Sequence, residues 1–264
     1  MEWPFGLRAA YRRAVRVRLG TEPPAGRLVS EAELERLPTL VRKYLRRVGA
    51  VGLPRPRHLR ARWRGRIRGS PTEAWMPFTA EQHNFLDESA RHFFMRARRG
   101  LVPVSVYHAY DREDASMQAH ILSIPVVNAR GAELRRAETV TVLNDICLLA
   151  PGALVDLPIE WQELDTSRVR ARYTAAADTI AGDLVFDPAG DLVDFVSDDR
   201  HASLDGGALE QRRWSTPVSE YRSFGPVRAL SRGEGRWHTA EGSFAYIELE
   251  LLDLELGGRA QSGR

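Results

Sequence analysis

The sequence predicts a mainly β protein of the α+β class. A large, strongly curved antiparallel sheet (a half barrel or an open barrel) is expected to wrap over one long helix, with basic helices at the N-terminus. Three observations predict this fold. About twelve segments have strand character, among them 116–126 and 211–224, and short turns join most of them. One segment, residues 133–149, has helical periodicity instead. The first 50 residues combine helical spacing with many arginines.

The N-terminal segment 1–50 is predicted to be a basic helical arm. Leu7, Tyr11 and Val15 share one side of a helix over residues 5–19, and arginines occupy the rest. After a linker at 21–27, Ser30 and Glu33 form a capping-box pattern that begins further helical structure. A basic amphipathic helix can bind an anionic membrane surface. The candidate contacts with such a surface are Arg8, Arg12, Arg13, Arg16, Arg60 and Arg62.

Residues 59–68 form the first predicted strand and have two unlike faces. Five arginines occupy alternate positions from Arg60 to Arg68, whereas Leu59, Ala61 and Trp63 point the other way. The row is either an anion-binding stripe or the outer wall of the sheet. If the last strand lies beside the first, Glu248 and Glu250 should neutralise part of the row. This pairing favours the outer wall.

Residues 51–256 are predicted to form one curved antiparallel domain into which helix 133–149 is inserted. The links between strands are short and contain turn residues, which is typical of hairpins. About twelve strands exceed what one flat sheet holds, so the sheet must curl or close. The helix is the only long element that could fill its concave side, and such an arrangement leaves an apolar cavity. Residues 257–264 are expected to be a disordered tail.

Charge is distributed unevenly along the chain. Residues 1–70 contain eighteen basic and five acidic residues, a net charge of +13, whereas the remainder carries −10 and the whole chain +3. Two interpretations stay open. The basic third contacts an anionic surface, or it is neutralised by the acidic body. Nucleic acid is disfavoured, because Trp63 points away from the arginine face and no nucleic-acid motif occurs.

Other features constrain the compartment. The single cysteine, Cys147, excludes an intrachain disulfide and fits a reducing environment. No apolar stretch is long enough to span a membrane, and the N-terminus has no apolar core of a signal peptide. We therefore expect a cytoplasmic protein, with peripheral membrane contact as an open alternative.

Several segments resemble an uncharacterised bacterial family that is known only as a domain of unknown function. The resemblance covers roughly residues 35–255 and implies no activity. The segments that carry it are 37–38, 42–47, 138–151, 186–200 and 214–218, with Trp161 and Asp165 between them. A looser similarity is to lipoprotein-carrier-like half barrels, which share long alternating strands and phrases such as 186–190 and 221–225. That similarity concerns the architecture of the sheet more than its chemistry.

Polar residues on the predicted helix are candidate ligand contacts. Glu138, Thr141 and Asp145 share one face, and Asn144 lies beside them. The alternative is that they bond to neighbouring backbone or solvent. Further ligand-binding candidates are Asp198, Arg200, Trp161 and Trp214.

Other reactive side chains are interpreted more simply. Cys147 lies among apolar residues, as a buried structural cysteine does. His108 and His120 would be diagonal neighbours on one face if residue 108 pairs near 118, but two histidines do not make a metal site. We expect neither a metal nor a cofactor.

Three hypotheses for function follow. The first is a non-enzymatic module that binds an apolar or amphipathic small molecule in the concavity of the sheet. The second is an enzyme of unknown reaction with a polar site at Asn144, Asp145, Asp198, Asp199 and Arg200. The alternative for the last three residues is a turn with an internal Asp–Arg pair. The third is a peripheral membrane or assembly factor that acts through the basic N-terminal helices.

Overall fold

The computed structural model describes residues 6–20, 27–202 and 210–257. These residues form four α-helices, a short 3-10 helix and sixteen strands. The helices are α1 (Leu7–Leu19), α2 (Glu31–Leu34), α3 (Thr39–Arg47), α4 (Ala132–Leu149) and the 3-10 helix Pro151–Val155. The strands are β1 (His58–Ile67), β2 (Met76–Phe85), β3 (Ala90–Arg99), β4 (Val102–Asp111), β5 (Asp114–Ile121), β6 (Ile124–Arg130), β7 (Ile159–Glu163), β8 (Arg168–Ala175), β9 (Asp178–Phe186), β10 (Leu192–Ala202), β11 (Glu210–Ser215), β12 (Val218–Ser219), β13 (Arg222–Phe224), β14 (Val227–Ala229), β15 (Arg232–Thr239) and β16 (Gly242–Gly257).

One antiparallel sheet contains most of the strands. Its order is β6–β5–β4–β3–β2–β1–β16–β15–β11–β10–β9–β8–β7, with β12 also paired to β15 and β13–β14 forming a separate hairpin. The sheet curves as a half barrel, and α4 packs against it. The predicted fold class is confirmed.

The arginine row lies on the outer face of the sheet, and acidic residues on both adjacent strands pair with four of its five arginines. The residues between the arginines, Leu59, Ala61 and Trp63, are buried on the inner face. Exposed pairs of this kind contribute about 0–1 kcal/mol each, so the row marks the outer wall rather than a major source of stability. The pairs are Arg60 with Glu81 and Glu255, Arg62 with Asp253, Arg64 with Glu250, and Arg66 with Glu248.

The helix α4 fills the inner side of the sheet. Every residue from Ala137 to Leu149 is buried, including Glu138, Asn144 and Asp145. Val140, Leu143 and Ile146 belong to the same core cluster as the inner residues of β1. Because a buried polar group is costly unless it is bonded, the polar residues of α4 must find partners inside the protein.

The N-terminal helices pack onto the sheet in two different places. α1 lies on the outer face, where Tyr11 contacts the rings of Phe94 and Tyr107 at centroid distances of 5.5 and 5.8 Å. Leu7 and Val15 complete this small cluster. The apolar side of α1 is therefore covered by the sheet. In α3, by contrast, the buried side chains belong to the main core; they are Val41, Tyr44 and Leu45.

The predicted capping box is confirmed. The backbone N–H of Ser30 donates to Glu33 Oε2 at 3.0 Å, and the hydroxyl of Ser30 donates to the same oxygen at 2.8 Å. These bonds satisfy a donor at the start of α2 that the helix itself leaves free.

Two segments expected to be single strands are divided. Segment 116–126 contains the turn of a β5–β6 hairpin, where Leu122 and Ser123 have φ of 50° and 69°. Segment 211–224 breaks at Pro217 into β11, β12 and β13. The expected linker 21–27 and tail 257–264 lie outside the described residues except for Arg27 and Gly257.

A candidate ligand-binding cavity

A cavity of about 1120 Å³ lies at the end of the sheet where β1 begins and β16 ends. One turn of α1, around Tyr11 and Val15, forms one wall. Loop residues 48–56 and 224–228 form other walls, and the C-terminal end of α4 closes the base at Leu149. Sites for small molecules usually measure about 300–1,000 Å³. The volume is therefore sufficient for an elongated small molecule.

The lining combines apolar side chains with positive charge. Its apolar members include Val15, Leu19, Leu53, Leu254 and Leu256. Among the described residues, five arginines and two acidic residues line the same space. The arginines are Arg12, Arg16, Arg55, Arg60 and Arg228, and the acidic residues are Glu81 and Glu255. An apolar wall with a surplus of guanidinium groups suits a ligand that has one apolar and one acidic part.

The arginines that line the cavity differ in how they are engaged. Arg55, Arg60 and Arg228 already form ion pairs with carboxylates of the protein. Arg16 is exposed, and its guanidinium forms no hydrogen bond or ion pair with another described residue. Arg16 is therefore the group best placed to bind an anionic ligand.

Histidines form the wall nearest the sheet. His58 Nε2 lies 2.8 Å from His83 Nδ1, so one ring donates and the other accepts. Burial lowers the pKa of His58 to about 3, and the charges of His83 and Arg60 act in the same direction. Behind them, His92 Nδ1 lies 2.9 Å from the Tyr107 hydroxyl, and burial lowers its pKa to about 4. His58 and His92 are therefore neutral at pH 7, and the positive charge of the cavity comes from arginine.

The predicted ligand contacts on α4 lie elsewhere, in a buried polar cluster around Arg91. Arg91 Nε donates to Asp145 Oδ2 at 2.8 Å and Nη1 donates to Glu138 Oε2 at 3.1 Å. The side-chain amides of Gln82 and Asn84 donate to the same oxygen of Asp145, at 2.7 and 3.0 Å. We call these five residues the Arg91 cluster. It lies between α4 and the inner face of β2 and β3.

The charge of Arg91 keeps Glu138 ionised despite its burial. Burial raises the pKa of this carboxyl, but Arg91 and the hydrogen bond from His108 outweigh burial and lower the pKa to about 2. Asp145 differs, because burial and the neighbouring charge of Glu138 raise its pKa above the usual value despite Arg91 and the hydrogen bond from Asn84.

The remaining predicted contacts of α4 are also bonded inside the protein. The Thr216 hydroxyl donates to Asn144 Oδ1 at 2.7 Å, and the Thr141 hydroxyl donates to the Ala137 carbonyl at 3.0 Å. Trp214 is buried, and Trp161 packs half-buried against the main core. None of the eight predicted ligand-binding residues lines the cavity. Their role in binding stays a prediction.

The structure places Asp198, Asp199 and Arg200 in β10 rather than in a turn. Asp199 pairs with Arg136 of α4, Asp198 pairs with Arg213, and the Arg200 guanidinium lies 4.3 Å from the ring centroid of Trp214. None of the three is bonded to Asn144 or Asp145, which have the partners named above. The five residues of the enzyme hypothesis thus have different bonding partners and do not form one bonded site.

The predicted anionic-surface arginines separate into two groups. Arg12, Arg16 and Arg60 line the cavity, whereas Arg8, Arg13 and Arg62 do not. Arg60 and Arg62 are both paired with carboxylates. The predicted contact of these six arginines with an anionic surface stays a prediction. The rest of the site was missed, above all the loop Val51–Arg57. The sequence does contain a signal for this loop: apolar residues, prolines and arginines alternate in it, and it lies between a helix and a strand.

His108 and His120 lie on opposite faces of the sheet. His108 pairs with Met117, one residue away from the assumed register, and His120 pairs with Ser105. A shift of one residue moves a side chain to the other face. Within the described ranges, His, Cys, Asp and Glu side chains nowhere gather in a group of three that could hold a metal ion. Cys147 is buried, and burial raises the pKa of its thiol.

The fold and the cavity together define a class: an antiparallel half barrel that encloses a helix and bears an amphipathic cavity at one end. The chain belongs to DUF6544, a family of unknown function, whose model matches residues 27–249. The expected membership in a domain family of unknown function is confirmed. Among proteins of curated function, none matches this sequence. In the part of the chain that the structure describes, no helix has the length and hydrophobicity needed to cross a membrane.

Two solved structures are similar in fold. A DUF1329 family protein from Desulfovibrio piger is 10% identical, with a TM-score of 0.45 and coverage of 87% of this chain and 94% of that one. A LolA superfamily protein from Nitrosomonas europaea is also 10% identical, with a TM-score of 0.43 and coverage of 88% and 94%. At this level of identity, both likenesses concern the fold alone.

Proposed function

We propose that the protein binds an amphipathic small molecule with an acidic head group in the cavity beneath α1, without catalysing a reaction. The observation that carries the proposal is the cavity itself, about 1120 Å³ in volume with apolar walls and five lining arginines. The sequence predicted an apolar or amphipathic ligand in the concavity of the sheet. The concavity is filled by α4, so the proposal moves the ligand to the open end of the half barrel.

The two parts of the ligand contact different walls. Its apolar part lies against Leu53, Leu254 and Leu256, where burial contributes about 25 cal/mol per Å² of apolar surface. Its acidic head lies near Arg16, whose guanidinium is exposed and pairs with none of the described residues. A charge-assisted hydrogen bond to that group contributes about 1.5–3 kcal/mol. His58, which lines the same wall, is neutral at pH 7 and adds no positive charge there.

Direct binding of a fluorescent fatty acid tests the head-group contact. The probe is 11-(dansylamino)undecanoic acid, titrated into the full-length protein. Arg16→Gln should weaken binding about tenfold, as expected for the loss of one charge-assisted bond. Arg13→Gln is the matched control, because Arg13 is an exposed arginine of the same helix that does not line the cavity. It should leave the affinity within about twofold.

A second pair of variants tests the location of the apolar part. Leu53→Trp adds volume inside the cavity and should displace the probe, whereas Leu252→Trp adds the same side chain at a residue that is 42% exposed and outside it. Native mass spectrometry of protein purified without detergent should also show a co-purified acidic amphiphile. A wild-type protein that binds no probe, or a Leu53→Trp variant that binds as well as wild type, would contradict the proposal.

A further inference from the structure

The tips of two neighbouring hairpins form an exposed apolar patch far along the sheet from the cavity. We call it the hairpin patch. One tip is the β3–β4 turn, where Leu101 is 96% exposed. The other is the β5–β6 turn, where Leu122 and Ile124 are 61% and 63% exposed and Val126 is 52% exposed. The backbone N–H of Leu122 donates to the Pro103 carbonyl at 3.2 Å, so the two tips lie side by side.

Strand β6 is exposed on both of its faces, and it is the edge strand of the sheet. Successive residues of a strand point to opposite faces, yet Ile124, Pro125, Val126 and Val127 are all exposed. A protein partner that packs on the sheet would cover one face. A bilayer surrounds an inserted tip on both faces, and it is the environment that best fits this arrangement.

The backbone at Leu122 supports a functional role for its side chain. Leu122 has φ of 50°, the left-handed region that a leucine adopts only at a cost of about 1–3 kcal/mol. Asn or Gly would occupy this turn position without that strain. The turn thus presents an apolar side chain to solvent at a backbone position that disfavours leucine.

The charge around the patch specifies the kind of bilayer. From His92 to Tyr110 and from Ala115 to Ala132 the chain contains no aspartate or glutamate. Arg96, Arg98 and Arg99 are exposed beside the first tip, and none forms an ion pair with another described residue. Cations beside an apolar tip match a membrane surface that contains anionic lipids.

We propose that the hairpin patch docks on an anionic lipid bilayer, with Leu101, Leu122 and Ile124 inserted and the arginines at the head-group level. This surface differs from the one that the amphipathic pattern of α1 suggested, because the apolar side of α1 is buried against Phe94 and Tyr107. The proposal is independent of the cavity and its ligand.

Co-sedimentation with vesicles tests this docking. Full-length protein is mixed with vesicles of phosphatidylcholine containing 30% phosphatidylglycerol, or of phosphatidylcholine alone. Binding should require the anionic lipid and weaken in high salt. The double variant Leu101→Asn/Leu122→Asn should bind about tenfold more weakly. Asn is well suited to the left-handed backbone at residue 122, so the variant should fold at least as stably as wild type.

Matched controls separate this surface from the rest of the molecule. Leu28→Asn removes an equally exposed leucine elsewhere and should leave vesicle binding unchanged. Arg98→Gln/Arg99→Gln should weaken binding, whereas Arg36→Gln/Arg172→Gln removes two exposed arginines elsewhere and should not. No binding to anionic vesicles, or equal losses in the control variants, would overturn the proposal. So would a wild-type dimer that becomes a monomer in Leu101→Asn/Leu122→Asn, since a second copy would then cover the patch.

Discussion

Replacing Arg91 with methionine should be one of the most damaging single substitutions in this protein. The change keeps most of the side-chain volume but removes the cation that faces both Glu138 and Asp145. All three side chains are at least nine-tenths buried. Removing one partner of a buried ion pair costs about 3–5 kcal/mol, because the other charge stays buried without compensation. Here two carboxylates lose their partner, so we expect a loss near 5 kcal/mol at pH 7.5.

The loss should shrink as the pH falls. In the wild type, the charge of Arg91 helps to hold the pKa of Glu138 near 2. Burial already raises the pKa of Asp145 in the wild type. Without the charge of Arg91, the pKa of Asp145 rises further and that of Glu138 rises above its unfolded value, so the folded state binds protons that the unfolded state does not. Stability then rises as pH falls. The deficit of Arg91→Met should therefore be smaller at pH 5 than at pH 7.5.

Urea unfolding followed by tryptophan fluorescence measures both effects. Adding Asp145→Asn to Arg91→Met should recover about 1–3 kcal/mol, because it removes one uncompensated charge. Arg172→Met, at an exposed arginine of β8, is the control and should cost less than about 0.5 kcal/mol. An Arg91→Met variant within 1 kcal/mol of wild type would refute this account of the cluster. So would a double variant whose loss of stability equals the sum of the losses measured for Arg91→Met and Asp145→Asn separately.

Three further predictions follow from burial and packing. Acid should destabilise the fold, because the folded pKa values of His58 and His92 are about 3 and 4, so only the unfolded state takes up protons as pH falls through 6.5. Each histidine should lower the free energy of unfolding by about 2 kcal/mol at pH 5. The variant His58→Gln should flatten the measured dependence of stability on pH. Gly182→Ala should cost about 1–3 kcal/mol in urea unfolding, because a Cβ there would lie 2.2 Å from the Phe195 ring; an unchanged midpoint would contradict the packing. Cys147 should react with Ellman's reagent only after urea is added, since burial raises its thiol pKa; fast reaction of the native protein would show that α4 opens.

Much of the fold could be predicted because it depends on local periodicity. The alternation in 59–68 determined which side chains face outward, and Glu248 and Glu250 were expected opposite the arginine row because β16 has the same period. Helix 133–149 matched α4 to within one residue. Such patterns are governed by neighbouring residues and by the geometry of a pleated strand or a helix.

The site could not be predicted in the same way. Its walls come from α1, from the loop before β1 and from the end of β16, segments that only the three-dimensional fold brings together. The polar residues of α4 looked like ligand contacts, yet their partners Arg91 and Gln82 lie on strands that no spacing rule links to α4. A register difference of one residue likewise separated His108 from His120. These contacts depend on the tertiary structure, and the periodicity of the sequence does not predict them.

The pairing of β1 with β16 also has a consequence for how the chain folds. These strands are about 190 residues apart, yet β16 lies in the middle of the sheet, between β1 and β15. On a ribosome, β1 and β15 would therefore both emerge before the strand that joins them, each with an unpaired edge. Contacts between such distant residues slow folding, and open edges in the meantime favour aggregation. The central strand of the half barrel is therefore added last. A chaperone that shields the edge of β1 would protect the nascent chain from aggregation during most of its synthesis.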